Sequence, residues 1–532
     1  MSNLNPMLLV DSYKIHHKNQ YPEGMTKLYS NFTPRKSRIE GVDSVVVFGI
    51  QHFVLEYLIK AFNESFFLTH SRKVMINRLE GDERKTEFLN DIKKKVIDEY
   101  KRHCNVDTAH IEALWNLGYL PIEIKALDEG TLCPIGVPML TITNTHPDFG
   151  WLVNYLETLL SCVLWQPITS ATLAYEYKKL FEKAAIETTG SIEGVQWQGH
   201  DFSMRGMSSP ESAILSGMGH LTSFTGTDTI PAIYQLEKSY NAEGLIGASV
   251  PATEHSVMCM GTKEAEVETF RRLMKLYPTG ILSVVSDTWN LWDVLTKFLP
   301  ELKEEILARD GKLVIRPDSG DPVDIICGNQ YINFSDKKIG DKVKYFDHDN
   351  EAETICTPQH KGVIELLWDI FGGTVNEQGY KVLDSHIGAI YGDSINITRA
   401  NEINARLKAK GFASINWIAG IGSYTYQYNT RDTFGFAMKA TYGEITHDAV
   451  DGPSQYIPAT LEVREIFKDP ITDDGTKKSK KGLLRVVQHE QLEVEDQQTW
   501  DGEKASLLTT VFKDGKLIKE TSLDEIRKKL NN

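Results

Sequence analysis

Four times between residues 282 and 423 an apolar run stops on a residue suited to binding or chemistry. The segments are LSVVSD, ending at Asp287; LVIRPDSGDP, with Arg316, Asp318 and Asp321; IGAIYGDS, with Gly392 and Asp393; and INWIAGIGS, with Gly420, Gly422 and Ser423. Short apolar runs bounded by turn residues read as buried parallel strands, which need helices across their faces. Helical patterns at 289–309, 361–373 and 395–410 separate them. This alternation is the mark of an α/β fold, whose ligands gather at the carboxyl ends of the strands. Further short pieces near 196–201, 222–225 and 247–250 alternate with helices near 210–220, 230–240 and 263–277. Together they make about seven strand–helix units, close to the eight of a barrel. FAMKATY (436–442) is the candidate for an eighth strand. The expected architecture is an irregular (β/α) TIM-like barrel over 151–439, with a second α+β domain built from the terminal segments 1–150 and 440–532.

The terminal segments differ in texture from the middle. Residues 1–150 mix helical patterns (48–63, 84–104) with strand-like KLYSNF and LPIEIKAL. After about 440 come short strands, LRVVQHE and TTVFKDGKLIKE, the latter with a D-G turn at 514–515, and a closing helix, SLDEIRKKL. The polar stretch 325–360 reads as a β-hairpin inserted between a strand and its delayed helix. A chain of 532 residues can bury a large core divided among two or three domains. Its net charge of −15 argues against a nucleic-acid or anionic-membrane partner, while local arginines can still receive an anionic small molecule. The six cysteines show no C-x-x-C spacing, so neither zinc nor a disulfide framework is expected. The most apolar stretch, 151–177, is interrupted by Asn154, Glu157, Gln166 and Pro167 and reads as a buried helix. MSNLNPMLLVDSYK lacks the basic start of a signal peptide, and a cytoplasmic location is expected.

Several strings carry chemistry. RPDSGDP (316–322) offers an arginine fork for phosphate or carboxylate, with Asp318 and Asp321 able to hold sugar hydroxyls or magnesium; its bland reading is an Arg–Asp pair bracing a turn. IAGIGS (418–423) lets backbone N–H groups approach a phosphate, although a tight turn would look the same. Thr229 of GTDT and Thr253 of ATEHS read as helix-capping residues. His255, beside Glu254, is either a hydrogen-bonded structural histidine or a nucleophile or general base. HDFSMRG (200–206) places Phe202 for stacking on a flat ligand and Arg205 for meeting an anion, against the usual fate of phenylalanine in a core. DSYKIHHKNQYP (11–22) reads as a surface turn, and KKSKKG (477–482) as a solvated loop. There is no Walker lysine motif, no H-E-x-x-H and no G-x-S-x-G elbow.

Taken in order and spacing, DSYK, LPIEIKA, HDF-x-x-RG, GTDT, SVPA-x-EHS, SVVSD, RPDSG, GD and TRD resemble the nicotinamide phosphoribosyltransferase family of type II phosphoribosyltransferases. The likeness runs over nearly the whole chain. It implies transfer of a phosphoribosyl group from 5-phosphoribosyl 1-pyrophosphate to nicotinamide, with Mg2+ as cofactor and ATP as co-substrate. It also implies a homodimer with shared active sites. By that resemblance Phe202 stacks on one face of the pyridine ring and Tyr13 of the partner subunit on the other, with Asp11 nearby. Asp228 accepts a hydrogen bond from the carboxamide, and Arg205 contacts the nicotinamide and product phosphate side. Asp318 binds the ribose hydroxyls with Arg316 beside it, and Gly392, Asp393, Gly422, Ser423 and Arg431 surround the 5-phosphate side. Arg35, Lys439 and Lys468 match basic residues around the phosphates. His255 is implied to be phosphorylated by ATP, with Glu254 and Asp287 as hydrogen-bonding neighbours, and the metal to be held mainly by pyrophosphate.

The chain departs from vertebrate members at Met204, at Ser423 and Tyr424 after Gly422, at Ala437, and in the longer 325–360 insertion. A carboxylate at Asp228 favours an amide over nicotinate, which separates this reading from nicotinate phosphoribosyltransferase. Two other classes remain as rivals: a glycosidase-like barrel using Asp287 and Asp318, and a non-catalytic nucleotide-binding barrel.

Overall fold

The computed structural model describes residues 4–79, 81–329, 337–347, 350–452, 455–472 and 478–531. The chain forms two compact units. One comprises 1–172, 235–242 and 429–532; the other comprises 173–234 and 243–428.

In the second unit the described residues form a six-stranded parallel sheet, in the order Gly226–Thr227, Gly199–Asp201, Trp417–Ile421, Ile387–Tyr391, Asp310–Arg316, Thr279–Val285. Leu313, Ile315, Ile387, Tyr391, Trp417 and Ile421 are all buried, as strands covered on both faces require. Helices follow the strands as the apolar periodicity indicated: Pro210–His220, Leu299–Leu307, Pro358–Phe371 and Ile397–Ala409. The segment after Gly247 bridges both edges of the sheet. Ala248 pairs in parallel with Gly226, and Ala252 with Ser283, so the sheet curls. Two of the short pieces are displaced. Residues 195–197 form a 3-10 turn before the strand at Gly199, and the piece expected at 222–225 is the two-residue strand Gly226–Thr227. In the insertion, Lys342–Asp347 and Asn350–Ile355 pair as the expected antiparallel hairpin; 330–336 and 348–349 lie outside the described residues.

The first unit holds a seven-stranded antiparallel sheet, ordered Thr460–Glu465, Ala437–His447, Met25–Thr33, Leu140–Asn144, Ile122–Ala126, Thr509–Lys513, Lys516–Leu517. FAMKATY is therefore not a barrel strand. Its residues pair with Met25–Thr33, with Lys439 opposite Asn31. Alternation of apolar residues defines the two faces of a strand but not its partner, here 400 residues away in sequence. The D-G turn is present, with Asp514 at φ 49° and Gly515 at φ 79°, the left-handed pair a type I′ hairpin demands. The final helix, Leu523–Leu530, starts in a Ser522/Glu525 capping box. Among the described residues no helix is long and apolar enough to cross a membrane, and all six cysteines are free.

A buried carboxylate caps a helix from a distance in this unit. Glu129 accepts hydrogen bonds from Gly49 N (2.9 Å), Gln51 N (2.6 Å) and Tyr240 Oη (2.8 Å). The N–H groups are the orphan donors at the start of the helix opening at Ile50. Gly49 is at φ +91°, and a Cβ there would lie 2.7 Å from Pro167, so glycine is required. Replacing Glu129 by alanine leaves these donors buried and unpaired, and should cost about 3 kcal/mol of stability, read as an earlier denaturation midpoint. Burial pushes the Glu129 carboxyl up to about 7, against the donors from Gln51, Tyr240 and Gly49. A carboxyl raised on folding contributes most below its unfolded value and loses that contribution as pH rises through the folded one. The native protein should therefore lose stability between pH 4.5 and 7 through this group, and the alanine variant should not.

Candidate active site

Parallel strands that end in polar residues aim them at one side of the sheet. Phe202, Arg205, Asp228, Arg316, Asp318, Gly392, Asp393, Gly422 and Ser423, all picked out from sequence, line a single cavity of about 390 Å3 in the second unit. A second hollow of about 500 Å3, lined by Met204, Met207 and Pro210, shares Phe202, Arg205 and Asp228 with it.

Glycines make room for the side chains of this site. A Cβ on Gly420 would lie 2.5 Å from Tyr391 O and 2.8 Å from the Phe202 ring, so only glycine lets that ring lie against the strand end. A Cβ on Gly392 would lie 2.6 Å from Asp318 Oδ1. Gly422 faces open space and has an extended backbone, so its lack of a side chain serves clearance rather than conformation.

The acids divide into structural and free groups. Asp321, read as a possible sugar or metal ligand, instead caps the helix Pro322–Cys327, accepting from Val323 N (2.9 Å) and Asp324 N (3.2 Å). Thr229 and Thr253 are structural, but their hydroxyls do not cap helices as expected, and the N-cap before His255 is Glu254. Thr229 donates to the buried Asp201 (2.7 Å), and Thr253 Oγ1 accepts from Val285 N (2.9 Å). Asp287 Oδ2 accepts from Asp318 N (2.9 Å) and Ser319 Oγ (2.5 Å), while its Oδ1 is buried without a hydrogen-bond partner. Burial raises the Asp318 carboxyl; Arg316 opposes this, and Asp287 and Asp393 reinforce it. For Asp228 burial also pushes upward, but donors from His200 and Ser249 outweigh it and hold the carboxyl below its usual value.

His255 opens the helix His255–Met260 with its side chain 49% exposed. Nε2 lies 3.9 Å from both Asp287 Oδ1 and Asp318 Oδ2, and Nδ1 lies 3.1 Å from Thr288 Oγ1. Glu254, expected beside the ring as a hydrogen-bonding neighbour, is turned to Ser256, whose hydroxyl it accepts; Thr288 takes the place at the imidazole. The intervening helix start explains this, because a residue at N-cap and the next one point in different directions.

The remaining residues singled out from sequence belong to the first unit. Tyr13 is 61% exposed, and Asp11 Oδ2 accepts from Thr158 Oγ1 (2.7 Å). Arg35 Nε donates to Gly435 O (3.0 Å). Burial, and then Arg35, Lys468 and Arg431 against the opposing Glu157, lower the Lys439 ammonium below its ordinary value, the sign of a concentrated basic cluster. Four positions at the second-unit site were missed from sequence. His200 and Ser249 sit inside the quoted strings, but their partner Asp228 comes from a different loop. Tyr428 looks ordinary in sequence, and Ser394 stands out only by its φ of 52°.

Fold and cavity together define an α/β protein with its cavity over the carboxyl ends of a parallel sheet, where ligands of such folds gather. Residues 197–516 match the model of the nicotinate phosphoribosyltransferase (NAPRTase) family, and residues 5–107 that of the nicotinamide phosphoribosyltransferase N-terminal domain. A protein of Acinetobacter baylyi named nicotinamide phosphoribosyltransferase is 48% identical, over 99% of this chain and 97% of its own. One of the same name from Mycoplasma pneumoniae is 35% identical, over 85% of this chain and 93% of its own. The chain belongs to the nicotinate phosphoribosyltransferase family, among its nicotinamide phosphoribosyltransferases. The crystal structure of nicotinate-nucleotide pyrophosphorylase from Pyrococcus furiosus shares the fold, with a TM-score of 0.52 at 14% identity, over 99% of this chain and 97% of that one.

Proposed function

We propose that the protein transfers the phosphoribosyl group of 5-phosphoribosyl 1-pyrophosphate to nicotinamide, giving nicotinamide mononucleotide and pyrophosphate in NAD salvage. The observation that carries this reading is one cavity bordered by an aromatic ring, an acceptor-only carboxylate, a half-buried arginine near an aspartate and a clear glycine edge. Phe202 offers the pyridine ring a flat face, and Asp228 accepts from the carboxamide NH2. Asp318, beside Arg316, accepts from the ribose hydroxyls, and the open edge at Gly422 and Ser423 gives the 5-phosphate room at backbone N–H groups. Ring nitrogen then forms a bond to the anomeric carbon as the bond to pyrophosphate breaks, and the bonding pair leaves with pyrophosphate. Holding ring and sugar in line removes the entropic part of the barrier.

The same reading extends to groups absent from the protein itself. The described residues contain no cluster of three metal ligands, yet Asp287 Oδ1 is a buried oxygen without a hydrogen-bond partner beside Asp318. That fits a magnesium ion held mainly by the donor's pyrophosphate oxygens, with Asp287 and Asp318 on the protein side. Bound there, the ion would neutralise charge gathering on the departing pyrophosphate. The basic cluster of Arg35, Arg431, Lys439 and Lys468 suits the donor's phosphates. The exposed Tyr13 suits a homodimer in which it closes the ring site of a second copy, with Asp11 fixing its segment. The strand–helix units, with the bridges at Ala248 and Ala252, are consistent with an irregular barrel in which the terminal segments build a second domain. A cytoplasmic location agrees with six unpaired cysteines.

His255 is assigned as the residue that ATP phosphorylates. In the tautomer whose Nδ1–H donates to Thr288, Nε2 keeps its lone pair and can attack the γ-phosphorus, with ADP leaving. His255→Ala should keep slow transfer and lose ATP hydrolysis together with its rate enhancement; undiminished ATP stimulation would remove the assignment. The function itself is tested with purified protein, phosphoribosyl donor and magnesium, offering nicotinamide and nicotinate separately, each with and without ATP. Turnover of nicotinamide stimulated by ATP is expected, and turnover of nicotinate alone would overturn the substrate assignment.

A further inference from the structure

Two side chains outside the roles assigned above converge on one atom. His200 Nε2 lies 2.9 Å from Asp228 Oδ1, and Ser249 Oγ lies 2.5 Å from that same oxygen. Asp228 N is fixed as well, donating to Asp201 O at 2.9 Å. With Oδ1 taking both donors, Oδ2 is the oxygen left to the cavity, where Asp228 forms part of the wall. The histidine is itself seated with little freedom. Its side chain is 13% exposed, and its ring centroid lies 4.6 Å from that of Phe202. Its Nδ1 lies so close to Gly226 that a Cβ there would be 2.8 Å away. One ring thus packs against the stacking phenylalanine and orients the selecting carboxylate.

We infer that His200 is a specificity-determining positioning residue, which with Ser249 pins Oδ1 of Asp228 so that Oδ2 is presented to the ring substituent as an acceptor in one fixed direction. The inference rests on the nicotinamide reading of the cavity. A carboxylate held this way rewards a donor at one place, and it cannot rotate away from a second carboxylate. Selection against nicotinate then depends on the two donors as well as on the charge of Asp228. Without the imidazole, Asp228 can turn about its side-chain bonds, so both the amide hydrogen bond and the like-charge clash weaken.

The test compares wild type, His200→Ala, His200→Gln, Ser249→Ala and the double alanine variant as full-length protein, with nicotinamide and nicotinate as separate substrates. In His200→Ala the nicotinamide KM should rise about tenfold, and the nicotinamide-to-nicotinate ratio of kcat/KM should fall by about tenfold or more, while the KM for the phosphoribosyl donor moves less than about twofold. Glutamine carries an N–H donor at similar reach and should restore much of the ratio, which a repacking effect would not allow. The double variant should lose more selectivity than either single one. A His200→Ala protein that keeps the wild-type ratio, or a donor KM that rises in parallel with that of nicotinamide, overturns the inference and leaves the nicotinamide reading standing. Wild-type protein that does not turn over nicotinamide overturns that reading, and the inference with it.

Discussion

Replacing Asp318 by asparagine is expected to lower kcat/KM for the phosphoribosyl donor by roughly a hundredfold, while nicotinamide binding changes little. The carboxylate comes from the end of a buried strand, and its position is set by a backbone bond to Asp287 and by the space that Gly392 leaves. Two hydrogen bonds from sugar hydroxyls to a charged acceptor are worth on the order of 3–4 kcal/mol together, and an amide recovers only part of that. The pH profile gives a second readout. Burial raises the Asp318 carboxyl; Asp287 and Asp393 add to this, and Arg316 opposes it. A raised carboxyl takes up its proton earlier as pH falls, so the acid limb of kcat/KM should lie above that of an ordinary aspartate. In Asp318→Asn that limb should flatten. An unmoved acid limb would mean that another group sets it, and an unchanged kcat/KM would take Asp318 out of the site.

Asp228→Asn should turn the substrate preference around rather than merely weaken it. Oδ1 receives donors from both His200 and Ser249, so an asparagine in this place directs its carbonyl to them. Its NH2 group then faces the cavity, where it donates to a carboxylate and confronts the amide NH2 of nicotinamide with a second donor. The removed like-charge repulsion and the reversed hydrogen bond act in the same direction. The nicotinamide-to-nicotinate ratio of kcat/KM should fall by about a thousandfold, or ~4 kcal/mol. Competition between the two substrates in one reaction measures it directly, and an unaltered ratio would show that another group discriminates.

The second-unit site was largely legible because its residues sit where apolar runs stop, a local signal that needs no knowledge of partners. Phe202, Arg316, Asp318 and Gly422 were found in this way. Where sequence reading failed, the deciding contact was remote or angular. Asp321 carried the same chemical type as Asp318, but the helix start at Pro322 claims its carboxylate. Glu254 was adjacent to His255 in sequence, yet the turn into the helix sends it to Ser256. FAMKATY had the right texture for a barrel strand, and only the pairing with Met25–Thr33 shows which sheet it joins. His200 and Ser249 gain meaning only when a strand and two loops place them on one carboxylate oxygen.

The pairing of Met25–Thr33 with Ala437–His447 also has a consequence during synthesis. On the ribosome the earlier strand emerges long before its neighbour exists. At about 5–20 residues per second, some 400 residues of delay amount to roughly 20–80 s. For that interval one long edge of Met25–Thr33 has no strand to pair with and is open to other chains. Production of this protein should therefore depend on elongation speed and on chaperones that shield nascent chains, and a chain stopped short of residue 437 should damage the fold at its opposite end.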